Sequence, residues 1–328
     1  MITGVVFALS AGLMWGVVFV APLLIPDYPA ALQSTGRYLA FGMIVLPLAW
    51  FDRAQLRQLT RRDWQEALRL ACVGNLLYYL FLASAIQRTG TPVTSMLIGT
   101  LPVVMAVSAN LLYGHHDGRM PWRRLIPPLV LITLGLILVN LSELHGDAAN
   151  IAPARYLAGL ALALLALACW TWYPLRNARW LRQHPQTPPS TWATAQGLAT
   201  LPMAFVGFIA VNGYLSLHAP DFPLPFGPLP WRFLALMVII GLFSSWLGTL
   251  CWNAASQRLP TVLVGPLLVF ETLAALAYTF LLRQSWPPLM TSAGIVCLIT
   301  GVVSAMRIKL EPVIRVSEAQ RPAASPRE

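Results

Sequence analysis

Charge is what this chain has least of. Only 10% of its 328 residues are Asp, Glu, Lys or Arg, while 57% are hydrophobic; a soluble domain carries about 25% charged residues. A soluble fold cannot hide so much apolar surface, so the scarcity excludes a soluble globular protein and points to a chain that threads a membrane several times. Cysteine is scarce too. Cys72, Cys169, Cys251 and Cys297 fall within or at the edge of apolar stretches, and none forms a CxxC pair. That excludes a disulfide framework and a thiolate metal site and leaves small buried side chains. No Gly-Lys-Ser or Gly-Lys-Thr loop is present to cradle phosphates, so the chain does not power itself with ATP. No cofactor is called for. The net charge of +10 does not signal nucleic acid, because the basic residues sit in loops with no aromatic-interleaved patch.

What is there is hydrophobic length. Ten apolar stretches run over 3–21, 33–50, 70–87, 93–112, 125–141, 156–175, 191–212, 233–256, 260–282 and 288–306. Each is close to the ~20 residues a helix needs to cross ~30 Å of hydrocarbon. The expected fold is an all-α integral membrane protein with ten transmembrane helices. The first stretch begins without a basic segment and is too long for a signal peptide, so it is expected to be retained.

The loops set an orientation. With the N-terminus cytoplasmic, 17 basic residues fall on the inside, among them Arg53, Arg61, Arg123, Arg124, Arg176, Arg182, Arg258 and Arg307. The outside holds four, Arg88, Arg155, Arg232 and Arg283, and Arg37 lies inside a span. The bias predicts both termini in the cytoplasm.

The second half of the chain repeats the first. Gly4, Ala8, Leu9, Ala11 and Trp15 match Gly159, Ala163, Leu164, Ala166 and Trp170 at an offset of 155; Ala85, Gln87 and Arg88 match Ala255, Gln257 and Arg258 at 170; Gly135 falls on Gly301. Five spans per half means that the second copy enters the membrane from the opposite side, which makes an inverted repeat. The expected units are residues 1–145 and 151–310, with a disordered cytoplasmic tail at 311–328. Short links after Arg88 and Gln257 predict two tight hairpins at matching positions. The small-residue faces could serve internal packing or a homodimer equally well.

These residues resemble the drug/metabolite transporter superfamily, in its two-copy EamA-type branch, over about residues 4–306. The resemblance rests on Trp15 and Trp170, Arg37, the run through Ala85, Thr89-Gly90-Thr91-Pro92 and Leu101-Pro102, then Leu259-Pro260, Glu271, Gly294 and Gly301. The chain departs from the family pattern in two ways. Thr272 follows Glu271 where a Pro is usual, and Gly114-His115 and Arg283-Gln284 stand where Gly-Glu is usual. The resemblance implies a solute carrier in a bacterial inner membrane that works by alternating access. Its cavity would be lined by the first, third, fourth, sixth, eighth and ninth helices, and many bacterial members export amino acids or related metabolites. It carries no substrate over to this chain.

Of twelve acidic residues, eleven fall in predicted loops, span ends or the tail. Glu271 alone sits inside an apolar span, where an ionised carboxylate costs roughly 2.5–3.5 kcal/mol. Burial favours the protonated form of a carboxyl, so Glu271 suits proton coupling, binding of a cationic group, or a hydrogen-bonded packing role. Arg37 could snorkel to the interface, meet a substrate carboxylate or pair with Glu271. Polar and aromatic side chains gather on the expected cavity helices: Trp15; Asn75, Tyr78 and Tyr79; Trp170 and Tyr173; Ser245, Thr249 and Trp252. Such a lining suits a neutral, zwitterionic or apolar small molecule, and a Trp face also accepts an ammonium group. A phosphorylated solute would need several cavity Arg or Lys residues. Pro47, Pro102, Pro174, Pro202 and Pro266 interrupt spans as kinks. His115-His116-Asp117 and His145-Gly146-Asp147 lack partners at metal spacing and read as solvated loops.

The leading expectation is a secondary transporter exporting small metabolites, with proton coupling through Glu271. An importer, or a drug or nucleotide-sugar exchanger, is the alternative within the same class. A membrane enzyme would need converging His, Asp and Glu near one membrane face, which the sequence lacks.

Overall fold

Hydrocarbon leaves an unpaired backbone no water to bond, and a helix satisfies every N–H and C=O within one segment. The computed structural model describes residues 2–89, 94, 97–112, 120–141, 153–284 and 286–308; helices build it, and no strand occurs among the described residues. The helices are α1 (Ile2–Leu24), α2 (Ala30–Phe51), α3 (61–89), α4 (Leu101–Leu112), α5 (Trp122–Leu141), α6 (Pro153–Gln183), α7 (Pro189–His218), α8 (Pro230–Arg258), α9 (Val264–Arg283) and α10 (Leu289–Met306). Two of them are interrupted by π-helical stretches, Cys72–Leu77 in α3 and Gly241–Leu247 in α8.

Among the described residues, seven helices are long and apolar enough to cross a membrane: α3 and α5 to α10. Ile2–Val18 of α1 and Leu101–Leu112 are shorter apolar helices. In α2, Gln33, Ser34, Thr35 and Arg37 dilute the apolar run. Gly90-Thr91-Pro92, Gly114, both His-containing loops and the 311–328 tail lie outside the described residues.

Two boundaries differ from expectation, for one reason. Hydropathy begins α3 near residue 70, but the helix starts at Arg61. Thr60 Oγ1 accepts from the Asp63 backbone N–H, and the Asp63 carboxylate accepts from the Thr60 N–H (2.8 Å), a capping box. Asp63 and Glu66, expected in a loop, are therefore helical and buried. Likewise α6 continues past residue 175 to Gln183, carrying Arg176, Arg179 and Arg182 on the helix. Polar faces that pack against protein rather than lipid are invisible to a hydropathy window. Pro47, Pro174 and Pro202 lie inside helices as expected, and so do Pro127 and Pro128 of α5. Pro266 sits in the first turn of α9, where a missing N–H leaves no bond unmade.

Most of the larger helix contacts map onto one another in pairs. The α1 helix packs on α8 and α9, and α6 packs on α3 and α4; α2 packs on α7 and α8, and α7 packs on α2 and α3; α5 packs on α10. Exchanging each helix with the one five places later leaves this set unchanged. The close approaches follow suit. Gly4 of α1 abuts Arg258 and Leu259, and Gly159 of α6 abuts Arg88 and Thr89. In the α5–α10 pair the backbones almost touch at Gly135 and Gly294, where a Cβ on either would lie 2.8 Å from the other's carbonyl oxygen. The largest buried cluster gathers α1, α4, α8 and α9 around Trp15, Trp252, Met105 and Leu267.

Candidate functional site

A π-helical stretch fits one extra residue into a turn and breaks the regular bonding ladder. In α8 the carbonyl of Ser244 accepts from Trp15 Nε1 (2.8 Å), while Ser244 Oγ donates to the Met14 carbonyl (2.6 Å). Both bonds tie α1 to the bulge. Gly248 follows; a Cβ there would stand 2.7 Å from Trp15 Nε1. In α3 the bulge carries Gly74, whose missing side chain leaves room for the ring of Tyr173 from α6. Its neighbour Asn75 donates from Nδ2 to Thr200 Oγ1 of α7 (3.0 Å). Each bulge thus seats one aromatic side chain from the opposite half.

Those aromatics join into a ladder across four helices. Trp252 meets Trp15 at 5.1 Å between ring centroids, and Trp15 meets Trp170 edge-on at 6.5 Å. Trp170 stacks on Tyr78 at 4.7 Å and on Tyr173 at 5.4 Å. Trp252 Nε1 is buried without a hydrogen-bond acceptor among the described residues. Thr249 is buried on α8 beside Gly248.

Arg37 does not reach for the interface. Its Nε donates to Ser245 Oγ on α8 (2.9 Å), which leaves the two terminal nitrogens toward other partners, and its guanidinium lies 5.1 Å from the Tyr38 ring centroid. Glu271 on α9 is half-buried, with its backbone N against Gly12 of α1. It lies within electrostatic reach of Arg37 and Tyr78, yet no ion pair or hydrogen bond engages its carboxylate among the described residues. The direct Arg37–Glu271 pair considered from sequence is not formed. Tyr79 stands apart from the ladder: its hydroxyl donates to the Ala30 carbonyl at the start of α2.

A second cluster closes the end of the bundle where the basic residues gather, and the sequence reading missed most of it. Glu66 of α3 takes a two-pronged contact from Arg176 of α6, through Nε and through Nη2 at 3.2 Å. Trp180 Nε1 donates to Asp63 Oδ1 (3.1 Å), and His184 Nε2 lies 3.5 Å from the same oxygen. Trp180 stacks on Trp192 of α7, which donates to Asn177 Oδ1 (2.8 Å). Asn177 donates to Asn253 of α8 (2.8 Å), Gln196 donates to Asn177 Oδ1 (3.1 Å), and Tyr173 donates to Gln196 Oε1 (2.8 Å). This chain of bonds links the charged rim to Tyr173 of the aromatic ladder. Outside it lies a cavity of about 720 Å³ bordered by Gln55, Arg62, Asp63, Glu66, Arg176 and His184. One signal was available: Tyr173, Asn177, Trp180 and His184 recur at helical spacing along one face.

A family model described as the EamA-like transporter family matches residues 2–141. Inner membrane protein YtfF of Escherichia coli (strain K12) is 57% identical over 320 residues, spanning 98% of this chain and 100% of that protein. A protein solved by crystallography, 16% identical in sequence, superposes with a TM-score of 0.71 over 92% of this chain and 96% of its own. At that identity the likeness speaks for the fold alone.

Proposed function

The chain belongs to the EamA-like transporter family, and from that premise we propose that it is a secondary transporter that exports small metabolites, amino acids or related amines, by alternating access. Its place is a bacterial inner membrane, with ten spans in two inverted repeats (1–145 and 151–310), a cytoplasmic tail (311–328) and both termini inside. The self-mapping helix pairs and the two π-helical stretches, which end at Leu77 and Leu247, support the inverted repeat. Sequence identity to an inner membrane protein supports the location.

The observation that carries the reading is the Glu271 carboxylate, which takes no ion pair or hydrogen bond among the described residues and lies within electrostatic reach of Tyr78 and the Arg37 guanidinium. A zwitterion would complement these charges. Its ammonium group would lie over the Trp and Tyr faces near Glu271. Its carboxylate would take the terminal nitrogens of Arg37, which Ser245 holds through Nε. Proton exchange at Glu271 would change the attraction for the ammonium group and so couple release to the proton gradient. The two bulged helices supply the moving parts: α8 is tied to α1 and α3 is bonded to α7 at their bulges, where the regular helix ladder is already broken. The Glu66–Arg176 and Asn177 network would then be the seal that opens on the cytoplasmic side.

The test is the growth medium of cells expressing the protein, profiled for metabolites against cells carrying empty vector. Enrichment of one or a few amino acids or amines is expected. An unchanged profile across the panel would contradict export.

A further inference from the structure

The groove where α5 begins and α10 ends belongs to neither cluster described above. It encloses about 620 Å³ and is lined by Arg124, Pro127, Pro128, Ser304, Arg307 and Ile308. Two helices each bring one arginine to it. Both arginines are exposed, and neither side chain has an ion pair or hydrogen bond among the described residues. Two guanidinium groups lining one groove, with no carboxylate among its lining residues, favour an anion there. The other groups are suited to a polar headgroup. Pro127 and Pro128 have no N–H, so the carbonyls one turn earlier lose their helical donors, and Ser304 adds a hydroxyl.

What leads away from the groove is apolar. Val130, Leu134 and Ile137 continue from Pro127 along α5 at helical spacing and are exposed; Val303, Ile299 and Val296 do the same along α10. A charged head with two aliphatic tracks matches the build of a phospholipid. We infer that this groove binds an anionic phospholipid, with its phosphate between Arg124 and Arg307, its headgroup hydroxyls toward Ser304 and the proline-freed carbonyls, and its acyl chains along α5 and α10. The basic end of the bundle assigns it to the cytoplasmic leaflet, the side on which basic grooves between helices meet anionic lipid. The inference is independent of what the protein carries.

The experiment is native mass spectrometry of the full chain released from nanodiscs made of equal parts phosphatidylcholine and phosphatidylglycerol. The unaltered protein is expected to retain phosphatidylglycerol in preference to phosphatidylcholine. The double variant Arg124→Gln/Arg307→Gln is expected to lose that preference by roughly tenfold or more, since each basic residue at an anionic surface contributes several-fold. Ser304→Leu keeps both charges but fills the groove, and should weaken retention as well. Arg53→Gln/Arg57→Gln removes the same two charges just past the end of α2, outside the groove, and should leave the preference intact. Retention by the double variant equal to that of the unaltered protein overturns the site. So does an equal loss with Arg53→Gln/Arg57→Gln, which would mean diffuse charge. Glycerol 3-phosphate added in excess is expected to leave the lipid bound; if it strips the lipid and takes its place, the groove is a soluble-phosphate site and the lipid assignment falls.

Discussion

Replacing Glu271 with Gln is expected to abolish solute accumulation driven by an imposed pH gradient in proteoliposomes, down to the level of protein-free liposomes, while exchange of labelled for unlabelled solute persists. Gln has the same shape and hydrogen-bonding reach but cannot take up or release a proton. Exchange needs only a binding site that reorients, whereas gradient-driven accumulation needs the proton. The structural ground is that the Glu271 carboxylate has no fixed partner among the described residues, with Arg37 held by Ser245 instead. A carboxylate locked in an ion pair would titrate poorly; one within electrostatic reach of Tyr78 and a held guanidinium can change state as solute comes and goes. The variant should also melt no lower than the unaltered protein, since it removes a charge whose burial costs roughly 2.5–3.5 kcal/mol. Gradient-driven accumulation that survives in Glu271→Gln would make Glu271 a helix-packing group and end its coupling role.

Trp192→Ala should bring the largest loss of stability. The side chain is fully buried, stacks on Trp180 with ring centroids 3.4 Å apart and donates to Asn177. Removing it opens a large cavity where α3, α6, α7 and α8 converge, at a cost of about 3–5 kcal/mol. Trp192→Phe keeps one six-membered ring for the stack and removes the indole N–H together with the fused five-membered ring, which should cost about 1–3 kcal/mol, less than alanine. Equilibrium unfolding in mixed detergent micelles reads both. If the two substitutions cost the same, the packing at this end does not depend on the stacked pair.

The sequence carried the seven long apolar helices because lipid-facing helices must be apolar over a fixed length, and Trp15 and Trp170, paired by their spacing, do meet edge-on. It did not carry the start of α3 or the end of α6, where Asp63, Glu66, Arg176 and Asn177 face protein and so break the apolar run that a hydropathy window detects. Nor did it carry the partner of Arg37. The choice among the interface, Glu271 and a third residue depends on how α2 crosses α8, and Ser245 is 208 positions away. The two bulges were equally hidden. Asn75 and Ser245 stood out as polar residues, but no pattern of residue types indicates an extra residue in a turn. Among the candidate residues, Trp15, Trp170, Trp252, Tyr78 and Tyr173 do meet in one ladder, while Tyr79 is directed to the start of α2.

The most direct test of a transport role is counterflow with the purified chain. Proteoliposomes loaded with one unlabelled amino acid or amine at a time are diluted into a trace of the same labelled compound, against protein-free liposomes. Transient accumulation of label above the protein-free level for at least one compound is the expected result. No accumulation for any compound across the panel, from protein that remains folded by its melting curve, would contradict the reading of this chain as a carrier of amino acids and related amines.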